Sequence, residues 1–203
     1  MTTPEFYFTL DKPGIAEFKD RGSKFIAYAY PLLDLADFKM KLAALKKEHP
    51  KAVHHCFAYR LGTNENVFRV SDDGEPSGTA GKPILGQLDS KQLTNTLVVV
   101  VRYFGGTLLG VPGLINAYKT AASLAIQTAP IVQRTIEMNY DLQFDYTSLN
   151  DVMMIIKQSN CTVVLQEAQL FYHMVIGIPA TKVSEVLHRL SDLRNVEVIK
   201  QKN

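Results

Sequence analysis

Two stretches of this 203-residue chain carry the residue types that do chemistry. Residues 71–84 read SDDGEPSGTAGKPI, and residues 98–110 read VVVVRYFGGTLLG. In the first, the glycines Gly74, Gly78 and Gly81, with Thr79 among them, leave backbone N–H groups uncovered by side chains. With Lys82 they could hold a phosphate oxygen. Asp72, Asp73 and Glu75 offer carboxylate oxygens, and Ser77 offers a hydroxyl. In the second, Arg102 supplies a fixed fork of donors suited to phosphate or carboxylate. Tyr103 and Phe104 could stack on a base, and Gly105 and Gly106 would let a ligand or another backbone approach closely. Each stretch also has a plain structural reading. The first can be a surface loop shaped by Gly and Pro. Arg102 can close an internal salt bridge to Asp72 or Asp73.

Several specific chemistries fail on spacing. A Walker A loop would need glycine where Pro76 stands and Ser or Thr where Pro83 stands. Ser77 lies outside any GxSxG elbow, and a base for it would have to come from His54 or His55, distant in sequence. The acidic residues do not follow the EF-hand pattern. In His54-His55-Cys56, strand alternation puts only His54 and Cys56 on one side, too few for zinc without partners from elsewhere. No cofactor and no metal are expected.

The composition is that of a globular protein, and no apolar run approaches the ~20 residues of a membrane helix. Two distant cysteines without CxxC spacing, and an N-terminus without a secretory or transit pattern, predict a cytoplasmic protein with reduced thiols. Net charge is +2. Residues 1–134 hold 16 Lys/Arg against 12 Asp/Glu, and residues 135–203 hold 6 against 8. This small asymmetry fits a basic half facing phosphates.

The elements that must position these residues follow from periodicity. Strands are expected at 5–10, 24–32, 52–61, 67–71 and 97–101, with a hairpin loop at 62–66. Helices are expected from Asp34 to about His49, through Leu85 and Leu88, and from Pro112 to near Pro130. The valine run does not alternate, so it must be buried on both faces. Beyond Pro130, residues 131–146 read as one long strand. Ser148 and Asp151 read as a capping box for the next helix. Two strands turning near 166–168, a helix carrying Val183, Val186 and Leu190, and a strand at 196–200 complete a βαββαβ unit. The boundary predicts domains 1–130 and 131–203.

Both glycine-bearing stretches, in this order and spacing, together with SKFIA (23–27) and HHCFAYRLG (54–62), resemble the IMPACT family, in its bacterial YigZ-type form. The resemblance covers essentially the whole chain. It implies an α+β protein: an N-terminal α/β domain similar to domain IV of elongation factor G, then a ferredoxin-like domain similar to its domain V. Those modules work at the ribosome and against tRNA. Eukaryotic relatives regulate translation through an additional N-terminal domain, for which this chain is expected to have no room. One departure stands out. Many relatives run from the double glycine into a glycine pair and a basic residue before Ala-Tyr, whereas here Pro112 and Asn116 intervene, with Lys119 supplying charge nearby.

The expected function is therefore binding of rRNA, tRNA or the ribosome to modulate translation, without catalysis. Loop 72–82 and Arg102–Gly106 form the expected surface, aided by Arg21, Lys24, Arg60 and Lys119. One alternative is an enzyme acting on a small phosphorylated or acyl substrate in the same cleft. The other is a protein-interaction module, which an exposed apolar patch on the C-terminal sheet would favour.

Overall fold

The computed structural model describes residues 4–63 and 67–201. The described residues form two compact units, one within Tyr7–Arg134 and one of residues 135–201 with residues 4–6. It is a mixed α and β protein.

The first unit is built on a five-stranded sheet. Its strands are β2 (Gly14–Asp20), β3 (Ser23–Pro31), β4 (His54–Leu61), β5 (Val67–Ser71) and β6 (Thr96–Tyr103), numbered after β1 (Phe6–Leu10). The order is β2-β3-β6-β4-β5, and β6 runs antiparallel to both neighbours. The four valines occupy its central strand and are 0% exposed, because both faces of the sheet are covered. On one face α1 (Leu35–Glu48) packs Phe38 and Leu45 against Val99 and Val101. On the other, α2 (Gly81–Ser90) and α3 (Gly110–Thr128) bring Ile84, Leu88 and the alanines of α3 onto Val98 and Val100. Asp34 caps α1, accepting from the amide of Asp37 at 2.8 Å.

Sequence periodicity does not reveal β2, whose GIAEFKD run mixes charge with apolar residues. It forms because it is a sheet edge, needing only one apolar side against α3. The expected strand 131–146 is two strands, β7 (Ile131–Thr135) paired with β1, and β8 (Glu137–Phe144) in the second sheet. Alternation continues through Ile136, so pattern alone cannot place the change of partner. Residues 64–66 of the expected hairpin loop lie outside the described residues.

In the second unit β8, α4 (Leu149–Gln158), β9 (Thr162–Ala168), β10 (Tyr172–Pro179), α5 (Val183–Ser191) and β11 (Val196–Lys200) follow the βαββαβ order. The sheet order β11-β8-β10-β9 is the interleaved arrangement of split βαβ units. Apolar residues of both helices meet Leu142, Phe144, Met174 and Ile176 in one core. The capping box does not form: Ser148 makes no capping bond and donates instead to the carbonyl of Arg194 at 3.1 Å. Asp145 serves the turn before α4, accepting from the amides of Thr147 and Ser148. No helix among the described residues is long and apolar enough to cross a membrane.

Candidate functional site

Register fixes the site. His54 on β4 lies opposite Arg102 on β6, so both side chains sit at the same sheet end, whereas Arg60 pairs with Thr96. Six residues at about 3.4 Å each put Arg60 roughly 20 Å from Arg102. Arg60 therefore does not join the surface assigned to it above, and its side chain meets Asp89 at 2.5 Å.

Arg102 points inward. Its side chain is 6% exposed and its Nη1 donates to Glu75 Oε1 at 2.6 Å, the Glu75 side chain being 4% exposed. The salt bridge thus exists, but to Glu75 instead of Asp72 or Asp73. Two successive left-handed residues, Asp73 and Gly74, turn the loop back so that Glu75 reaches the strand end. The guanidinium lies over Phe25 at 5.4 Å and Phe104 at 5.6 Å. Nη2 donates to Ser23 Oγ at 3.3 Å, and Nε is buried without a hydrogen-bond partner. Tyr118 of α3 also donates to Glu75 Oε1, at 2.7 Å, and the Cys56 thiol lies 3.4 Å from the Tyr118 oxygen. Burial raises both the Cys56 thiol and the Tyr118 hydroxyl far above their ordinary values. Cys56 therefore packs as a buried, protonated thiol.

The glycine-rich loop supplies its own anion. The Asp72 carboxylate accepts from the amides of Gly78 at 2.8 Å, Ala80 at 3.0 Å and Gly81 at 2.8 Å. Burial raises its pKa, yet the three N–H bonds and nearby Lys82 outweigh that and hold it below the ordinary value. The Thr79 amide is taken by Pro76 O. Of the glycine amides expected to cradle a phosphate, those of Gly78 and Gly81 are thus already bonded. Asp73 likewise faces inward, accepting from the His55 amide at 2.7 Å. Ser77 and Lys82 are exposed.

Strand alternation divides the RYFGG run. Tyr103 turns to the α1 face, where its hydroxyl meets His49 Nδ1 at 2.9 Å, away from Arg102. Phe104 stays at the surface, 49% exposed. A Cβ on Gly105 would stand 1.9 Å from the Gly22 carbonyl carbon, so the β2–β3 hairpin tip lies directly on this glycine. Gly106 has open space but a φ of +87°. The two glycines therefore answer two different needs, contact and conformation. The same hairpin carries Arg21, at a φ of +43°, and Lys24, which pairs with Glu17 at 2.7 Å. Lys119 is exposed on α3.

A cavity of about 400 Å³ opens at this end, lined by His54, Glu75 and Arg102 and by apolar residues including Val53, Phe104, Leu108 and Val111. Neither Ser77 nor Asp73 lines it. Sequence reasoning did not pick out Val53, Leu108, Val111 or Tyr118. The only signal for the first three is their apolar character in segments that flank Gly and Pro.

The fold and site together define a two-unit α+β protein whose RYFGG strand end is locked to a glycine-rich loop by a buried ion pair. Comparison with known proteins names that class. The family described as Impact N-terminal domain matches residues 21–126. IMPACT family member YigZ of Escherichia coli is 36% identical over 156 residues, 76% of each chain. An IMPACT family member of Haemophilus influenzae is 37% identical over 175 residues, 84% of each chain. A solved structure titled as that of a hypothetical protein superposes with a TM-score of 0.75 at 30% identity, covering 98% of this chain and 99% of the other. The chain belongs to the IMPACT family.

Proposed function

We propose that this protein binds RNA at the ribosome, as rRNA or tRNA, and modulates translation in the cytoplasm, with no chemistry, metal or cofactor of its own. The resemblance to domains IV and V of elongation factor G, read from the sequence, supplies the link to translation. Fold analogy alone is a weak warrant, so the reading rests on one observation. The packing of Gly22 on Gly105 brings the turn of the β2–β3 hairpin, with Arg21, beside the residue that follows β6, the half-exposed Phe104, while Lys19 and Lys24 lie on the Tyr103 face of the same hairpin. An aromatic face next to a basic side chain is what single-stranded or looped RNA stacks upon. Arg102 then acts as a positioning residue, holding Phe104 from beneath, and the phosphates fall to Arg21 and Lys24.

The test is binding of fluorescein-labelled tRNA, and co-sedimentation with ribosomes, across a salt series. Affinity should fall steeply with salt, and replacing both Arg21 and Lys24 by Ala should flatten the slope by about 2. Phe104→Ala should weaken binding by roughly 1–3 kcal/mol. Salt-independent affinity, or affinity indifferent to all three changes, would refute the reading.

A second reading, protein interaction, is favoured by the open face of the second sheet. Leu165 and Ile199 are 41% and 64% exposed there. Register aligns Ile199, Asp141, Val175 and Leu165 across the four strands.

A further inference from the structure

The cavity beside Arg102 has walls that a phosphate-binding surface would not need. Val53 is 60% exposed, Phe104 49%, Leu108 82% and Val111 52%, all around one opening of about 400 Å³. Carbon surface of this extent, gathered round a concavity, marks a binding site more often than chance exposure.

The floor sets the charge of what can enter. Arg102 and Glu75 lie 2.6 Å apart with side chains 6% and 4% exposed, so they cancel. Glu75 Oε1 is further occupied by the Tyr118 hydroxyl at 2.7 Å. An anion entering here meets the Glu75 carboxylate, and the guanidinium that would attract it is already paired. A cation meets Arg102. Either charge would also lose water against the carbon walls without gaining a free counter-ion, which is unfavourable. The occupant must be uncharged.

His54 sets its polar requirement. Its Nδ1 lies 2.8 Å from the carbonyl oxygen of Asp73. A carbonyl only accepts, so Nδ1 carries the proton and, in the neutral ring, Nε2 presents a lone pair. Nε2 is 3.8 Å from Glu75 Oε1, beyond hydrogen-bond distance. His54 Nε2 is therefore an acceptor awaiting a donor, beside Glu75 Oε2, since the bonds to Glu75 all go to its Oε1.

We propose that the first unit carries a binding site for a small, uncharged, aromatic or aliphatic molecule that donates one N–H or O–H to His54 Nε2. The site is separate in chemistry from the RNA contact. It gives the IMPACT core a means of sensing a neutral ligand next to the Phe104 surface.

The probes are indole, which has an apolar body and one N–H, and 1-methylindole, which lacks the donor. The chain contains no Trp, so indole fluorescence can be followed on the full-length protein without that background. Methyl NMR of Leu108, Val111 and Leu114 locates the site. Indole should shift those methyls and bind roughly five- to tenfold more tightly than 1-methylindole, the worth of one net hydrogen bond. His54→Phe should erase the difference between the probes. Leu108→Asp, at a position too exposed to matter for folding, should abolish binding of both. Indole-3-carboxylate should bind more weakly than indole. Equal affinities for the two indoles on the wild type, tighter binding of the carboxylate, or methyl shifts confined to other residues would each overturn the proposal. Retention of RNA binding in Leu108→Asp, with loss of indole, would separate this site from the RNA surface.

Discussion

Glu75→Ala should be far more damaging than a loop substitution ordinarily is. The carboxylate lies 2.6 Å from Arg102 Nη1, and both side chains are almost wholly buried. At that distance, with an effective dielectric of about 20, their attraction is about 6 kcal/mol. Desolvating each ion costs several kcal/mol, so the pair as a whole contributes little net stability. Removing only one partner is different. Glu75→Ala leaves a guanidinium buried between Phe25 and Phe104 without its counter-ion, and takes the acceptor from the Tyr118 hydroxyl. The expected loss is about 3–5 kcal/mol, a large part of the roughly 5–15 kcal/mol that holds a domain folded. Glu75→Leu combined with Arg102→Met should be less damaging than the sum of the single changes by about 2–3 kcal/mol. Because the chain has two compact units, one overall unfolding curve would mix them. Native-state hydrogen exchange of the Val98–Val101 amides reports the first unit directly. A Glu75→Ala loss under about 1 kcal/mol, or additivity in the double variant, would refute the reasoning. The same argument predicts that Arg102→Ala disturbs folding, which is why Phe104 and the hairpin cations are the cleaner probes of RNA binding.

Gly105→Ala places a methyl against the Gly22 backbone at 1.9–2.2 Å and should destabilise by more than about 2 kcal/mol. Gly106→Ala meets nothing within 4 Å and should cost only about 1–2 kcal/mol for its left-handed backbone. Comparable urea midpoints for the two variants would contradict that division. Asp72 has a folded pKa below its ordinary value of 3.8. Its stabilisation of the loop is therefore complete above that pH and is lost as pH falls through the lowered folded value. Exchange protection of the Gly78, Ala80 and Gly81 amides, each bonded to this carboxylate, should fall in that acid window in the wild type. In Asp72→Asn protection should be weaker at neutral pH and should lack the acid step. An unchanged acid profile in the variant would show that another group governs the loop.

Sequence by itself determined the elements whose periodicity is local. The valine run had to be a strand covered on both faces, because five consecutive residues, Leu97 to Val101, offer no polar side for water. The α1 stripe of Phe38, Leu42 and Leu45 had to face a core, and the βαββαβ order was legible after Pro130. The two motifs were recognisable as one site because Gly, carboxylate and Arg cluster there in an order that resembles the IMPACT family. Tertiary structure decided everything that depends on which groups meet. Asp72, Asp73 and Glu75 are interchangeable on paper as partners for Arg102. The left-handed turn at Asp73–Gly74 gives Arg102 to Glu75 and leaves Asp72 to bind the loop amides. Register sends Arg60 to the far end of the sheet, and alternation sends Tyr103 to the opposite face. The apolar mouth formed by Val53, Leu108 and Val111 comes from two segments far apart in the chain that share no pattern. Periodicity reports which side of an element is apolar, whereas pairing of charges and shape of a cavity are set by long-range contacts that no local pattern encodes.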